Sequence, residues 1–177
     1  MVPCEEYHFY LYCPEGVEGA GEIRTCLVSR LPGVVEVPWF ICETLQVLFD
    51  DLGEINPDYS GLKKMAEHFV LSMFDRNGHP VGFCSFIPER IDLIQIDIIL
   101  IKKEFRQRGL GRLLLGYLEQ ALEQGTIMYV RQTTGTGRKF FTRCGFARDV
   151  QLFKVLSDRN RLFKTRSDHS PVSLASV

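Results

Sequence analysis

A chain of 177 residues that is 45% apolar and 24% charged has the size and make-up of one globular domain. Its 21 Lys and Arg against 22 Asp and Glu leave a formal net charge of -1, which excludes holding nucleic acid by bulk charge. No apolar run approaches the roughly 20 residues of a membrane span, and Met1-Val2-Pro3-Cys4-Glu5-Glu6 reads as neither a secretory leader nor an Arg-rich transit segment.

The first element is a strand: Tyr7, Phe9 and Leu11 alternate with His8, Tyr10 and Tyr12. A Gly- and Glu-containing loop from Cys13 to Glu22 leads to a second strand, Ile23 to Ser29, closed by Pro32-Gly33. Residues 39–52 carry Ile41, Leu45, Leu48 and Leu52 at helical spacing, and a shorter helix begins near Ser60. Val70 to Phe74 and Val81 to Ile87 form a hairpin across Asp75-Arg76-Asn77-Gly78, with Pro88 ending the return strand. Ile91 to Ile101 is nearly all apolar and β-branched, as in a central strand covered on both faces; only Gln95 and Asp97 interrupt its core. After a basic loop, Lys102 to Arg108, comes the clearest helix, Leu110 to Leu122, with Gly125 beyond it. Thr126 to Arg131 is a short strand, Thr133 to Gly137 a flexible loop, and Arg138 to Arg143 a short helix. Cys144-Gly145 then turns into a last strand, Phe146 to Leu156. This order packs as a mixed sheet with helices on both faces. One domain is expected over 1–156, with a polar tail at 157–177.

Arg106-Gln107-Arg108-Gly109-Leu110-Gly111-Arg112 joins a buried strand to a helix start. Four first-turn N–H groups lack intrahelical partners, and the macrodipole adds partial positive charge. Two glycines clear the approach and three arginines add full charges, which makes an anion seat suited to a diphosphate. The competing reading is a solvated basic helix cap. The segment is neither a Walker A loop nor a G-x-G-x-x-G fingerprint.

Ile101 to Gly111 resembles the acetyl-CoA loop of the GNAT N-acetyltransferases, whose pattern is Q/R-x-x-G-x-G/A after a central strand and before the principal helix. Gly137-Arg138-Lys139-Phe140-Phe141-Thr142-Arg143-Cys144-Gly145-Phe146 is similar to that family's A-x-x-F-Y-x-K-x-G-F block. The resemblance runs from about Phe69 to Leu156. It implies an α/β (α+β) GNAT fold: a mixed central sheet of about six to seven strands, splayed between the fourth and fifth core strands, 91–101 and 126–131. It also implies a site. The backbone of Ile99, Leu100 and Ile101 pairs with the pantetheine arm of acetyl-CoA. The amides of Gln107, Arg108, Gly109, Leu110, Gly111 and Arg112, beside Arg106, hold the diphosphate. Phe140 and Phe141 flank the arm near the thioester.

Acyl transfer needs a neutral amine, and an alkylamine is mostly protonated at neutral pH. Asp97, four residues before Ile101, stands where many family members place a carboxylate. It is the candidate base, against a structural Asp satisfied by hydrogen bonds. The oxyanion then falls to a strand amide near Ile99 to Ile101. Phe141 departs from the family's usual Tyr and cannot protonate a leaving thiolate. Water, Tyr129 or direct thiolate release takes that role, or the chain is a slow or inactive member.

The six cysteines form no C-x-x-C pair and are expected as free thiols, Cys144 as a small buried hydrophobe. His8, His68, His79 and His169 share no metal spacing and default to solvated or core roles, although His68, at the end of the second helix, could face a substrate. No metal is expected. The expected function is therefore an acetyl-CoA-dependent N-acetyltransferase acting by direct attack in a ternary complex. A small-molecule amine is the first choice of acceptor, and a protein lysine or N-terminus the second. It is expected to be cytoplasmic, monomeric or homodimeric, with no membrane or nucleic-acid partner. The alternative is a catalytically weak or inactive GNAT-fold module that binds acyl-CoA or a protein; a nucleotide-binding protein using the same loop is more remote.

Overall fold

The computed structural model describes residues 7–16, 20–38, 66–148 and 152–157. Within them lie eight strands: β1 (Tyr7–Tyr12), β2 (Val35–Glu36), β3 (Phe69–Asp75), β4 (Pro80–Arg90), β5 (Leu93–Ile101), β6 (Ile127–Val130), β7 (Ala147–Arg148) and β8 (Leu152–Val155). They form one mixed sheet in the order β2-β1-β3-β4-β5-β6-β8-β7. The helices among these residues are α1 (Ala20–Arg30), α2 (Leu110–Ala121) and α3 (Gly135–Arg143), and a 3-10 turn spans Lys103–Phe105. The count exceeds the expected six to seven strands because β2 and β7 are two-residue strands. The helices expected at 39–52 and near Ser60 fall outside the described residues, as does the tail beyond Ser157.

The segment expected as a strand at Ile23 to Ser29 is helical instead. Ile23, Leu27 and Leu31 are buried four residues apart, while Arg24, Thr25, Val28 and Ser29 are exposed. That is the period of a helix face, not of a strand. Its buried side lies against α2: the Cys26 thiol donates to the Ala121 carbonyl, and Arg30 meets Glu123 at 2.8 Å. The sequence suggested a strand closed by Pro32-Gly33; packing on α2 decides otherwise.

The β3–β4 hairpin forms as expected. Asp75 Oδ1 accepts from the amides of Asn77 and His79, and Gly78 takes φ +79°. Pro88 does not end β4, which continues to Arg90. The last residue of β4 paired with β3 is Phe86, so Pro88 has β5 as its strand neighbour in this sheet, the setting in which a strand tolerates proline. The loop expected through Gly137 is shorter. Helix α3 already starts at Gly135, and Thr134 caps it by accepting from the Gly137 amide at 3.1 Å. The single last strand is two, β7 and β8. The chain doubles back on itself, so that β8 rather than β7 lies against β6.

The core lies between one sheet face and helices α1 and α2. Phe9 of β1 stacks on Tyr117 of α2 with ring centroids 4.0 Å apart, and the Tyr117 hydroxyl donates to the Pro32 carbonyl. Leu71, Phe86, Ile94 and Ile96 complete the sheet side, against Leu114 and Leu118 of α2. Each such side chain contributes roughly 1.5–3 kcal/mol by leaving water. Glu119, inside this apolar helix, is also buried: it meets Lys154 of β8 at 2.8 Å, with both side chains 1% exposed. Among the described residues no helix is long and apolar enough to cross a membrane.

Candidate functional site

Two irregularities of the sheet converge on Asp97. The parallel pairing of β5 with β6 starts at Leu93 and Ile127 and stops at Ile96 and Val130. From there β5 runs on to Ile101 with β4 as its only strand neighbour among the described residues, so the expected splay lies between β5 and β6. On the other side the β4–β5 register slips. Phe86 faces Ile96 and Ser85 faces Ile98, which makes Asp97 the extra residue of a bulge. Beyond it, Ile99, Leu100 and Ile101 pair with Cys84, Phe83 and Gly82, and their other flank faces the splay.

The loop after β5 is folded by its own backbone. The Lys102 amide donates to Val81, and the amides of Phe105 and Arg106 close the 3-10 turn. Gln107 stands at φ +64° and Gly109 at φ +80°. Asn-like left-handed geometry at a glutamine is uncommon, and it turns the chain sharply into α2. The first intrahelical bond of α2 runs from the Leu113 amide to the Gly109 carbonyl. The amides of Leu110, Gly111 and Arg112 therefore lie outside the helical ladder, at its positive end. A Cβ on Gly109 would find nothing within 4 Å, so this tip is open.

Some predicted residues have structural contacts that their sequence roles did not include. The Arg106 Nε donates to the Ile101 carbonyl at 2.8 Å and ties the loop back onto the strand. The Arg108 guanidinium sits 5.5 Å from the Phe105 ring. A Cβ on Gly111 would stand 3.1 Å from the Phe140 ring and 3.6 Å from Ile101, so this glycine admits an aromatic neighbour as well as exposing amides. Strand β5, the tip of α2 and helix α3 thus meet at Ile101, Gly111 and Phe140. Phe140 is half-buried. Phe141 is 4% exposed, edge-on to Phe140 at 5.1 Å and to Phe146 at 5.0 Å.

Beside Asp97 stand His68, expected from sequence only as a histidine that could face a substrate, and Ser85, which the sequence reading did not single out. His68 precedes β3 and is buried; its Nδ1 lies 3.0 Å from Ser85 Oγ and 3.4 Å from Asp97 Oδ2. For Ser85 the linear signal is a hydroxyl inside an apolar strand. Tyr129, considered as a proton donor, gives its hydroxyl to Glu89 and lies 3.1 Å from Gln95 Oε1. Burial first, and the bond to Glu89 second, raise its pKa. Cys13, Cys26, Cys84 and Cys144 are free thiols; burial pushes Cys144 up to about 11, as suits a buried hydrophobe.

Residues 66–148 match the family model of the acetyltransferase (GNAT) domain. No curated protein matches the chain by sequence. Among solved structures, a Lactobacillus plantarum protein assigned as an N-acetyltransferase is 16% identical with a TM-score of 0.54, over 86% of this chain and 99% of that one. A Desulfovibrio desulfuricans protein assigned to the GNAT family is 12% identical with a TM-score of 0.55, over 68% and 94%. PaiA N-acetyltransferase of Thermoplasma acidophilum, in complex with coenzyme A, is 16% identical with a TM-score of 0.52, over 68% and 96%. At these identities the likeness is one of fold.

Proposed function

This chain carries a GNAT acetyltransferase domain over residues 66–148, and on that premise we propose that it is an acetyl-CoA-dependent N-acetyltransferase. The acceptor is a primary amine that attacks directly in a ternary complex; a small-molecule amine is favoured over a protein lysine or N-terminus. The observation that carries the reading is the continuity of the open flank of β5 with the open tip of α2.

The residues present fit the cofactor. The left-handed Gly109, with empty space where a Cβ would stand, leaves room for a diphosphate against the amides of Gln107 to Arg112. Arg108 and Arg112 are exposed there and add charge, while Arg106 braces the loop. The backbone groups of Ile99, Leu100 and Ile101 would hold the pantetheine arm as an added strand. Phe140 would line it, with Phe141 packed behind. Bound acetyl-CoA supplies an acetyl group activated as a thioester. Asp97, 15% exposed at the crotch of the splay, would take the proton of the incoming ammonium.

The second reading, an acyl-CoA-binding module without activity, draws on Phe141, which has no proton to donate. One experiment separates them. Acetyl-CoA at about a hundredfold excess over Kd should stabilise the chain by about 2.7 kcal/mol, a melting rise of about 5–10 °C at this size. Free-thiol release across a panel of primary amines should then identify an acceptor. A melting shift without release supports the module; neither effect overturns both readings.

A further inference from the structure

Three strands bring polar side chains together beside the splay. His68 directly precedes Phe69, which faces Phe86, which faces Ile96. Asp97 follows Ile96 in the bulge, and Ser85 precedes Phe86. In this row the His68 Nδ1 lies 3.0 Å from Ser85 Oγ and 3.4 Å from Asp97 Oδ2. Ser85 is fully buried and the His68 side chain is 8% exposed, so protein rather than water sets the ring's position.

A ring nitrogen between a hydroxyl and a carboxylate can be satisfied in two states. Without a proton, Nδ1 accepts from the Ser85 hydroxyl. With one, Nδ1–H has the Ser85 Oγ lone pair as its hydrogen-bond acceptor and the Asp97 carboxylate at ion-pair distance, 3.4 Å, beside it. The rotating hydroxyl serves both states, so the imidazole gains or loses a proton without stranding the nitrogen.

We propose that His68 is a positioning residue that acts through Asp97, holding the proton that Asp97 removes from the acceptor amine. The inference rests on the reading of Asp97 as the base. The ammonium N–H bond breaks, its electron pair stays on nitrogen, and an O–H bond forms on Asp97. That O–H bond then breaks as Nδ1–H forms on neutral His68. A carboxylate and an imidazolium are left side by side; once the acetylated product leaves, the Nδ1 proton returns through Asp97, the more exposed of the two, to water, which restores the starting tautomer with Nδ1 bare. No further reactant is required. The His68 Nδ1, 3.4 Å from Asp97 Oδ2, is the basic nitrogen in place to take the proton. The neighbouring Cys84 thiol does not compete as a thiolate, because burial, and then the Asp97 charge, push it up. Glu67, the residue before His68, is exposed to solvent.

His68→Asn tests this, because its amide nitrogen takes the place of Nδ1 yet accepts no proton. The probes are acetyl-CoA with a panel of alkylamines, protonated at pH 7, and anilines, which are neutral. With an alkylamine, kcat should fall about tenfold or more, with KM for acetyl-CoA unchanged and little loss on anilines. Wild-type kcat on alkylamines, or equal losses on both amine classes, overturns the inference and leaves the acetyltransferase reading standing. A wild-type chain that acetylates no amine in the panel overturns that reading, and the inference with it. If His68→Asn shows no melting transition, nitrogen NMR of the imidazoles decides. The His68 Nδ1 resonance should move in Asp97→Asn, and an unmoved resonance overturns the coupling.

Discussion

Asp97 illustrates how one residue can be legible while its surroundings are not. A lone carboxylate in the run Leu93 to Ile101 is conspicuous, since a buried charge is costly unless something compensates it. Sequence therefore marked the residue. The partner at 3.4 Å, His68, lies 29 positions away and is brought there by the registers of β3, β4 and β5. Asp97→Asn keeps the shape and removes the base. Thiol release should fall about a hundredfold or more, while the melting shift caused by acetyl-CoA persists. Unchanged release would leave Asp97 a structural residue only.

At the scale of elements, α2 was legible from end to end and α1 was not. The stripe of α2 repeats over three turns, whereas α1 offers two buried residues, Ile23 and Leu27, among polar neighbours, with Leu31 just past its end. The tip of α2 also carries a sharp test. Left-handed backbone costs a side chain about 1–2 kcal/mol, with Asn and Asp the most tolerant. Gly109→Asn and Gly109→Asp therefore share nearly the same strain and differ by one charge. The Asn variant should retain most of the acetyl-CoA melting shift. The Asp variant should lose it, because its carboxylate faces the diphosphate. Equal shifts in both would remove the diphosphate from this tip.

Across the whole molecule, the buried pair of Glu119 and Lys154 joins α2 to β8. Lys154 Nζ also donates at 2.8 Å to the carbonyl of Cys144, the residue that ends α3. The helix whose tip faces the splay and the helix that carries Phe140 are thus tied to the same lysine. Removing one partner strands a buried charge, so Lys154→Met should cost about 3–5 kcal/mol in chemical denaturation. Lys154→Met combined with Glu119→Leu should recover much of that loss. A double variant no more stable than the single one would show that the pair acts by more than charge balance.

Sequence alone determined the strand before the loop, the glycine-relieved helix start and the aromatic block of α3, because each is written in neighbouring residues and governed by local backbone chemistry. Tertiary structure decided that 20–30 is a helix, that the last strand is two, that Phe140 rests on Gly111, and that His68 meets Asp97. Those outcomes depend on which distant segments share a face or a register, and chain order does not encode that in any one stretch.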